Sequence, residues 1–356
     1  MIEEIKSFCE KSGILTKSNY SLKNSSYSRT GKNVRIALFP NCSSQLKDVT
    51  KFLQKNNFDF KLIGASTNLL FLDTVEYGCF IYTKLMNDIN FHSDTVSVES
   101  GRLVFDLVRD LAHRGYGKIE GLEGIPGTVG GALTMNAGAY GYTISDTLIS
   151  VEVIDDRGRS FSYNKEELDI SNRSIKQLKD KIIVKAKFKT FRESFSKIET
   201  LIRRFHISRH QYQEWVYPNL GSVYIVPSLN INEDIRYVHT STNKFLHFIY
   251  FLIFKLWFSK PLFFIRRSFP EFNLPFKLLK NLKIKSYNSR LASKTTVNTF
   301  ANKNNSSLEI LQYMRTLYED SGRIYKLENE VCKNNISEVE DKKSHQIELE
   351  ILKEIN

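Results

Sequence analysis

Residues 124–141 read GIPGTVGGALTMNAGAYG, the stretch of this chain best suited to chemistry. Six of its eighteen positions are glycine, Pro126 fixes one φ, and no side chain in it is charged. Successive backbone N–H groups freed of Cβ atoms form a concave anion site that suits a pyrophosphate. The spacing is neither the G-x-G-x-x-G dinucleotide fingerprint nor a Walker loop. A flexible linker would be rich in Ser and charge, whereas Val129, Ala132, Leu133, Met135, Ala137 and Ala139 read as buried. A second turn, IGASTNLLF at 63–71, places Ser66, Thr67 and Asn68 where they can donate to phosphate oxygens beside backbone N–H groups. Alone, it fits any strand–turn–strand. Two such loops match the need of a long dinucleotide to be held at both ends.

The elements that must position these loops follow from periodicity. Residues 35–39 are extended, and Ser44 can cap a helix burying Leu46, Val49, Phe52 and Leu53. Short strands at 60–63 and 69–72 flank the first loop. A strand at 96–100 precedes a helix with Val104, Leu107, Val108 and Leu111 inward, ending near Gly115. Residues 147–191 alternate with period two and turn at Asp156-Arg157-Gly158, as a hairpin does. Residues 1–200 thus read as two small α/β lobes whose glycine loops face each other. Beyond them, Leu308, Leu311, Met314, Leu317 and Tyr318 form one helix face capped by Ser306 or Ser307. Residues 336–356, dense in charge, read as an exposed, frayed helix.

The pair GASTNLL and GIPGTVGGALTMNAGAYG resembles the flavin-binding signature of the UDP-N-acetylenolpyruvoylglucosamine reductases, within the vanillyl-alcohol-oxidase/p-cresol-methylhydroxylase-type FAD proteins. Three further stretches agree in order: LDISNRSI at 168–175, RHQYQEWVYPNLGSVY at 209–224 and LENEV at 327–331. The resemblance implies an α+β fold. A two-lobed FAD-binding domain of that type (1–85 and 86–200) would be followed by an α+β substrate-binding domain (201–335) with a hydrophobic, basic insertion at about 244–290 and a charged tail (336–356). It implies non-covalent FAD held by Gly64, Ala65, Ser66, Thr67, Asn68, Glu120, Gly124, Ile125, Pro126, Gly127, Thr128, Gly130, Gly131, Asn136, Ala137 and Gly138. NADPH would be the electron donor and a nucleotide sugar bearing an enolpyruvyl ether the substrate. The implied chemistry needs a cation for the carboxylate and enolate, a proton donor opposite the flavin, and an acid near the enolate. The resemblance assigns these roles to Arg173, Ser222 and Glu330 respectively. Departures occur at Ser66-Thr67 (Gly-Ser in the family), at Asn172 (Tyr) and at Ile225-Val226-Pro227. They suit a divergent paralogue acting on a related surface-polysaccharide precursor. A flavin-binding or inactive scaffold in a membrane-associated polysaccharide assembly is the alternative.

Composition agrees with a multidomain chain of 356 residues, 41% hydrophobic. Cys9, Cys42, Cys79 and Cys332 are scattered without paired spacing, which argues against a disulfide framework and a metal site. The amino terminus lacks the basic start and apolar core of a signal peptide, so a cytoplasmic protein, expected as a monomer, is the default. The net charge of +12 is concentrated: residues 244–294 hold eleven basic residues and one acid, Glu271, and no nucleic-acid motif accompanies them. Within that region 245–269 is aromatic and basic, and its apolar runs are shorter than the roughly 20 residues of a membrane span. It reads equally as an interfacial element making peripheral contact with an anionic membrane or as an internal pair of packed helices.

Overall fold

A computed structural model of the protein describes residues 1–225, 252, 256, 262, 289–293, 298–320, 323 and 325–356. The expected insertion at 244–290, with its membrane-facing reading, lies almost entirely outside the described residues.

Two sheets build the amino-terminal half. In the first, strands Leu15–Ser21, Asn33–Phe39 and Val75–Tyr82 lie side by side. The end of Val75–Tyr82 pairs with Lys61–Ile63 and its beginning with Ile336–Val339. Strand Asn33–Phe39 is parallel to Val75–Tyr82, which requires a crossover, and helix Ser43–Lys55 lies within it. This strand is buried on both faces. Ile36 and Leu38 meet Leu46, Val49 and Leu53 of that helix and Ile5 of helix Ile2–Lys11, while Ala37 and Phe39 point to the opposite core. Helix Ser43–Lys55 has no Ser44 side-chain cap. Instead the Ser43 amide and hydroxyl donate to Glu99 Oε1 at 2.9 and 2.7 Å, a tertiary partner that displaces the local one.

The second sheet is antiparallel throughout, in the order Ser160–Asn164, Leu148–Ile154, Ile182–Lys189, Thr95–Glu99, Ile89–Phe91. Its alternation is plain in Ile182–Lys189, where Ala186 and Phe188 are buried and Lys185, Lys187 and Lys189 exposed. Helices Val104–His113 and Val129–Thr134 pack onto the buried face.

The third core joins the first sheet to the carboxy-terminal half. Phe71, Tyr77 and Phe80 meet Tyr224, Phe300, Ile310, Leu311, Met314 and Leu317. Helix Ser307–Asp320 opens on a reciprocal pair: the Ser306 amide donates to Glu309 Oε2 at 2.9 Å and the Glu309 amide to Ser306 Oγ at 3.3 Å.

The carboxy-terminal segment departs from expectation. Residues 336–339 form a strand of the first sheet, and helix Lys342–Ile355 buries Ile351, Leu352 and Ile355 in the third core. Its Glu348 carboxylate is fully buried and accepts the hydroxyls of Thr74 and Ser307, each at 2.5 Å. That burial pushes the Glu348 pKa up. Ile351→Ala should therefore destabilise the whole protein by about 2–5 kcal/mol, the usual result of truncating a core isoleucine. Urea unfolding measures it, and wild-type stability would show the helix to be a loose tail.

All four cysteines are free. Burial pushes the thiols of Cys9 up to about 11 and of Cys79 and Cys332 up to about 12, which keeps them protonated and unreactive. Among the described residues no helix is long and apolar enough to cross a membrane.

Candidate active site

The two glycine-bearing loops meet. A Cβ on Gly64 would lie 2.4 Å from Thr128 Oγ1, and Thr128 caps helix Val129–Thr134 by accepting the Gly131 amide at 3.3 Å. Gly127 differs, since a Cβ there would meet only Thr67 Oγ1, at 3.5 Å. Glycine is thus needed at 64 for packing, whereas at 127 the two loops leave room for a Cβ. They wall a cleft of about 830 Å³, within the size range of cofactor sites.

Of the residues expected to hold a flavin, Ala65, Thr67, Asn68, Gly124, Ile125, Pro126, Ala137 and Gly138 line this cleft. Others shape the loops from behind. Ser66, at φ +56°, accepts the Tyr27 amide at 3.0 Å. Gly130 donates to Ser100 O at 2.8 Å. Asn136 donates to Ser171 O at 3.0 Å and accepts from Ser145 Oγ at 2.8 Å. Glu120 is buried away from the cleft, and its Oε2 has no partner among the described residues.

Three further side chains line the same cleft. Arg173 sits at φ +60°, in the two-residue-strand hairpin of Ile170–Ser171 and Ser174–Ile175. It donates from Nη1 to Gly138 O at 3.2 Å and pairs through Nε with Glu328 Oε1 at 3.1 Å. Glu328 is 11% exposed. Burial raises its pKa, and the charge of Arg173 opposes the rise. Ser222 follows Gly221, whose φ of +73° favours glycine and whose amide donates to Asn219 Oδ1 at 3.0 Å.

Glu330, the acid expected from the resemblance, is not among the cleft residues. It is 57% exposed and pairs with Lys61 Nζ at 2.5 Å. The chain bends at Asn329, so the two glutamates of LENEV face different surroundings. Sequence reasoning also passed over Arg209, which begins the RHQYQ stretch. Its Nε donates to Glu123 O at 2.9 Å, and a Cβ on Gly124 would lie 2.8 Å from its Cδ. Arg209 thereby props the second glycine loop from helix Phe195–Tyr212. Glu123 itself is buried and faces Arg109 Nη2 at 3.2 Å and His206 Nδ1 at 3.6 Å.

Residues 34–163 match the protein family described as FAD binding domain. The chain is 32% identical over 200 residues to the UDP-N-acetylenolpyruvoylglucosamine reductase of Clostridium botulinum strain Hall, covering 56% of this chain and 65% of that protein. It is 29% identical over 221 residues to the enzyme of that name from Lactobacillus acidophilus, covering 61% and 74%. The chain is thus similar to the UDP-N-acetylenolpyruvoylglucosamine reductases over somewhat more than half of its length. The crystal structure of such a reductase from Thermus caldophilus shares the fold, with a TM-score of 0.63 at 20% identity over 89% of this chain and 98% of that one. The fold is α+β with a p-cresol-methylhydroxylase-type FAD-binding domain. The chain spans 65% of the length of the Clostridium reductase-family relative.

Proposed function

We propose that the protein is an FAD-dependent, NADPH-consuming reductase of a UDP-N-acetylglucosamine-enolpyruvate-like substrate, acting in the cytoplasm on a peptidoglycan or related surface-polysaccharide precursor. The observation that carries this reading is the convergence of Arg173, Glu328 and Ser222 on a cleft walled by the two glycine loops. The residues fit FAD: Thr67, Asn68, Gly124, Ile125, Pro126, Ala137 and Gly138 line the cleft, and a Cβ at Gly127 would approach Thr67 between the two loops. Bound FAD, reduced by NADPH, would supply the hydride.

The chain's own groups would do the rest. Addition of hydride to the vinyl group leaves negative charge on the carbon beside the substrate carboxylate. Arg173, a fixed cation in the cleft, would bind that carboxylate and the developing enolate. Ser222 Oγ would donate the proton that completes the reduction. Glu328, whose proton burial favours, would stand as the acid at the enolate in place of Glu330.

A direct assay tests the reading. Purified protein should be yellow, bleach with NADPH, and recover colour on adding UDP-N-acetylglucosamine-enolpyruvate. Bleaching without recovery would reject that substrate and direct a screen to other nucleotide- and lipid-linked sugars. A colourless protein that neither binds FAD nor consumes NADPH would favour the scaffold alternative.

A further inference from the structure

The geometry points to Asn329 as the positioning residue that holds the Ser222 turn and Glu328 in register with the first glycine loop. This inference rests on the proposed reductase reading for its kinetic consequence, and on the fold alone for its structural one.

Asn329 is 4% exposed and lies where three segments cross. Its Nδ2 faces Ser222 O at 3.0 Å, Leu220 O at 3.1 Å and Asn68 Oδ1 at 3.0 Å. All three are acceptors, so only the amide nitrogen can occupy that place, and the carboxamide orientation is determined by its surroundings. Asn68 completes the crossing. Its Nδ2 donates to Glu328 O at 3.0 Å, and its own carbonyl accepts the Glu330 amide at 2.9 Å. The Glu328 amide in turn donates to Val223 O at 2.8 Å.

One carboxamide therefore bridges the turn bearing the proposed proton donor and the loop bordering the flavin site, next in sequence to the proposed acid. Ser222 is exposed toward the cleft, and no hydrogen bond to its hydroxyl is found among the described residues, so its placement comes through its backbone. Asn329 supplies the side-chain donors to the carbonyls on either side of Gly221. It does not line the cleft, so it acts through Ser222 and Glu328 rather than on substrate.

Asn329→Asp and Asn329→Ala test this. Asp keeps the shape and replaces the donor with a carboxylate facing three acceptors. NADPH bleaching should run at the wild-type rate in both variants, because that half-reaction does not use Ser222. Recovery of colour by the enolpyruvyl substrate should slow by roughly tenfold to hundredfold, the scale set by misplacing a catalytic group by about 1 Å. Asn329→Asp should be slower than Asn329→Ala at pH 8 and regain rate as pH falls, since a protonated carboxyl can donate again. A role in filling space alone would spare Asp and show no such pH dependence.

Hydrogen exchange on the same proteins gives a readout free of turnover. The peptide covering 219–224 should exchange faster in both variants, while the second sheet stays as in wild type. Unchanged exchange at 219–224, or an equal rise everywhere, overturns the positioning role. Wild-type protein without turnover would sink the reductase reading while leaving the exchange test decisive for Asn329.

Discussion

Gly127→Val should purify as a folded, colourless protein. Position 127 has no positive φ, and a Cβ there meets only the end of Thr67 at 3.5 Å, so the apoprotein can carry the larger residue. The methyl groups of valine would instead fill the gap between the loops, where the dinucleotide backbone must approach. Gly64→Val provides the contrast. Its Cβ would lie 2.4 Å from Thr128 Oγ1, the atom that caps helix Val129–Thr134, so that variant should lose both flavin and thermal stability. Flavin absorbance per mole of protein, read beside circular dichroism and a melting curve, separates the two outcomes. Wild-type flavin content in Gly127→Val would mean that the cofactor does not pass between these loops.

Ser222→Ala should keep its colour and its bleaching by NADPH, yet recover colour with the enolpyruvyl substrate about 10²–10⁴-fold more slowly, the usual contribution of a positioned proton donor. Glu328→Gln should slow the same step, and Glu330→Gln should leave it near wild type, because Glu330 lies on the surface beside Lys61. The sign of the pH dependence follows from Glu328. Burial raises its pKa and Arg173 only partly offsets this, so the folded state holds the proton more tightly than the unfolded chain does. Its contribution to stability is then present at low pH and lost as pH rises through the raised value. If Glu328 acts as an acid, the oxidative half-reaction should fall over the same interval, and Glu328→Gln should flatten that limb of the profile. A Glu330→Gln variant as impaired as Glu328→Gln would return the acid role to Glu330.

The amino-acid sequence by itself determined the chemistry of the two loops and most of the elements behind them. Glycine density in 124–141, the period-two run of 182–189 and the apolar faces of helices Val104–His113 and Ser307–Asp320 are local properties, and the structure keeps them. The family resemblance rested on 124–141 together with short stretches at 64–70, 168–175, 209–224 and 327–331. What lay beyond local pattern was decided by packing. Helix Lys342–Ile355 carries one narrow apolar stripe among many charges, which reads as exposed until its partner is known; Ser307–Asp320 and the first sheet supply that partner. Glu328 and Glu330 stand two positions apart in one motif, and nothing in their types tells them apart. The bend at Asn329, held by acceptors from residues 68, 220 and 222, turns one carboxylate into the cleft beside Arg173 and leaves the other with Lys61. Periodicity describes which face of an element is apolar, whereas burial of a particular carboxylate depends on segments more than a hundred residues away, which only the tertiary structure brings together.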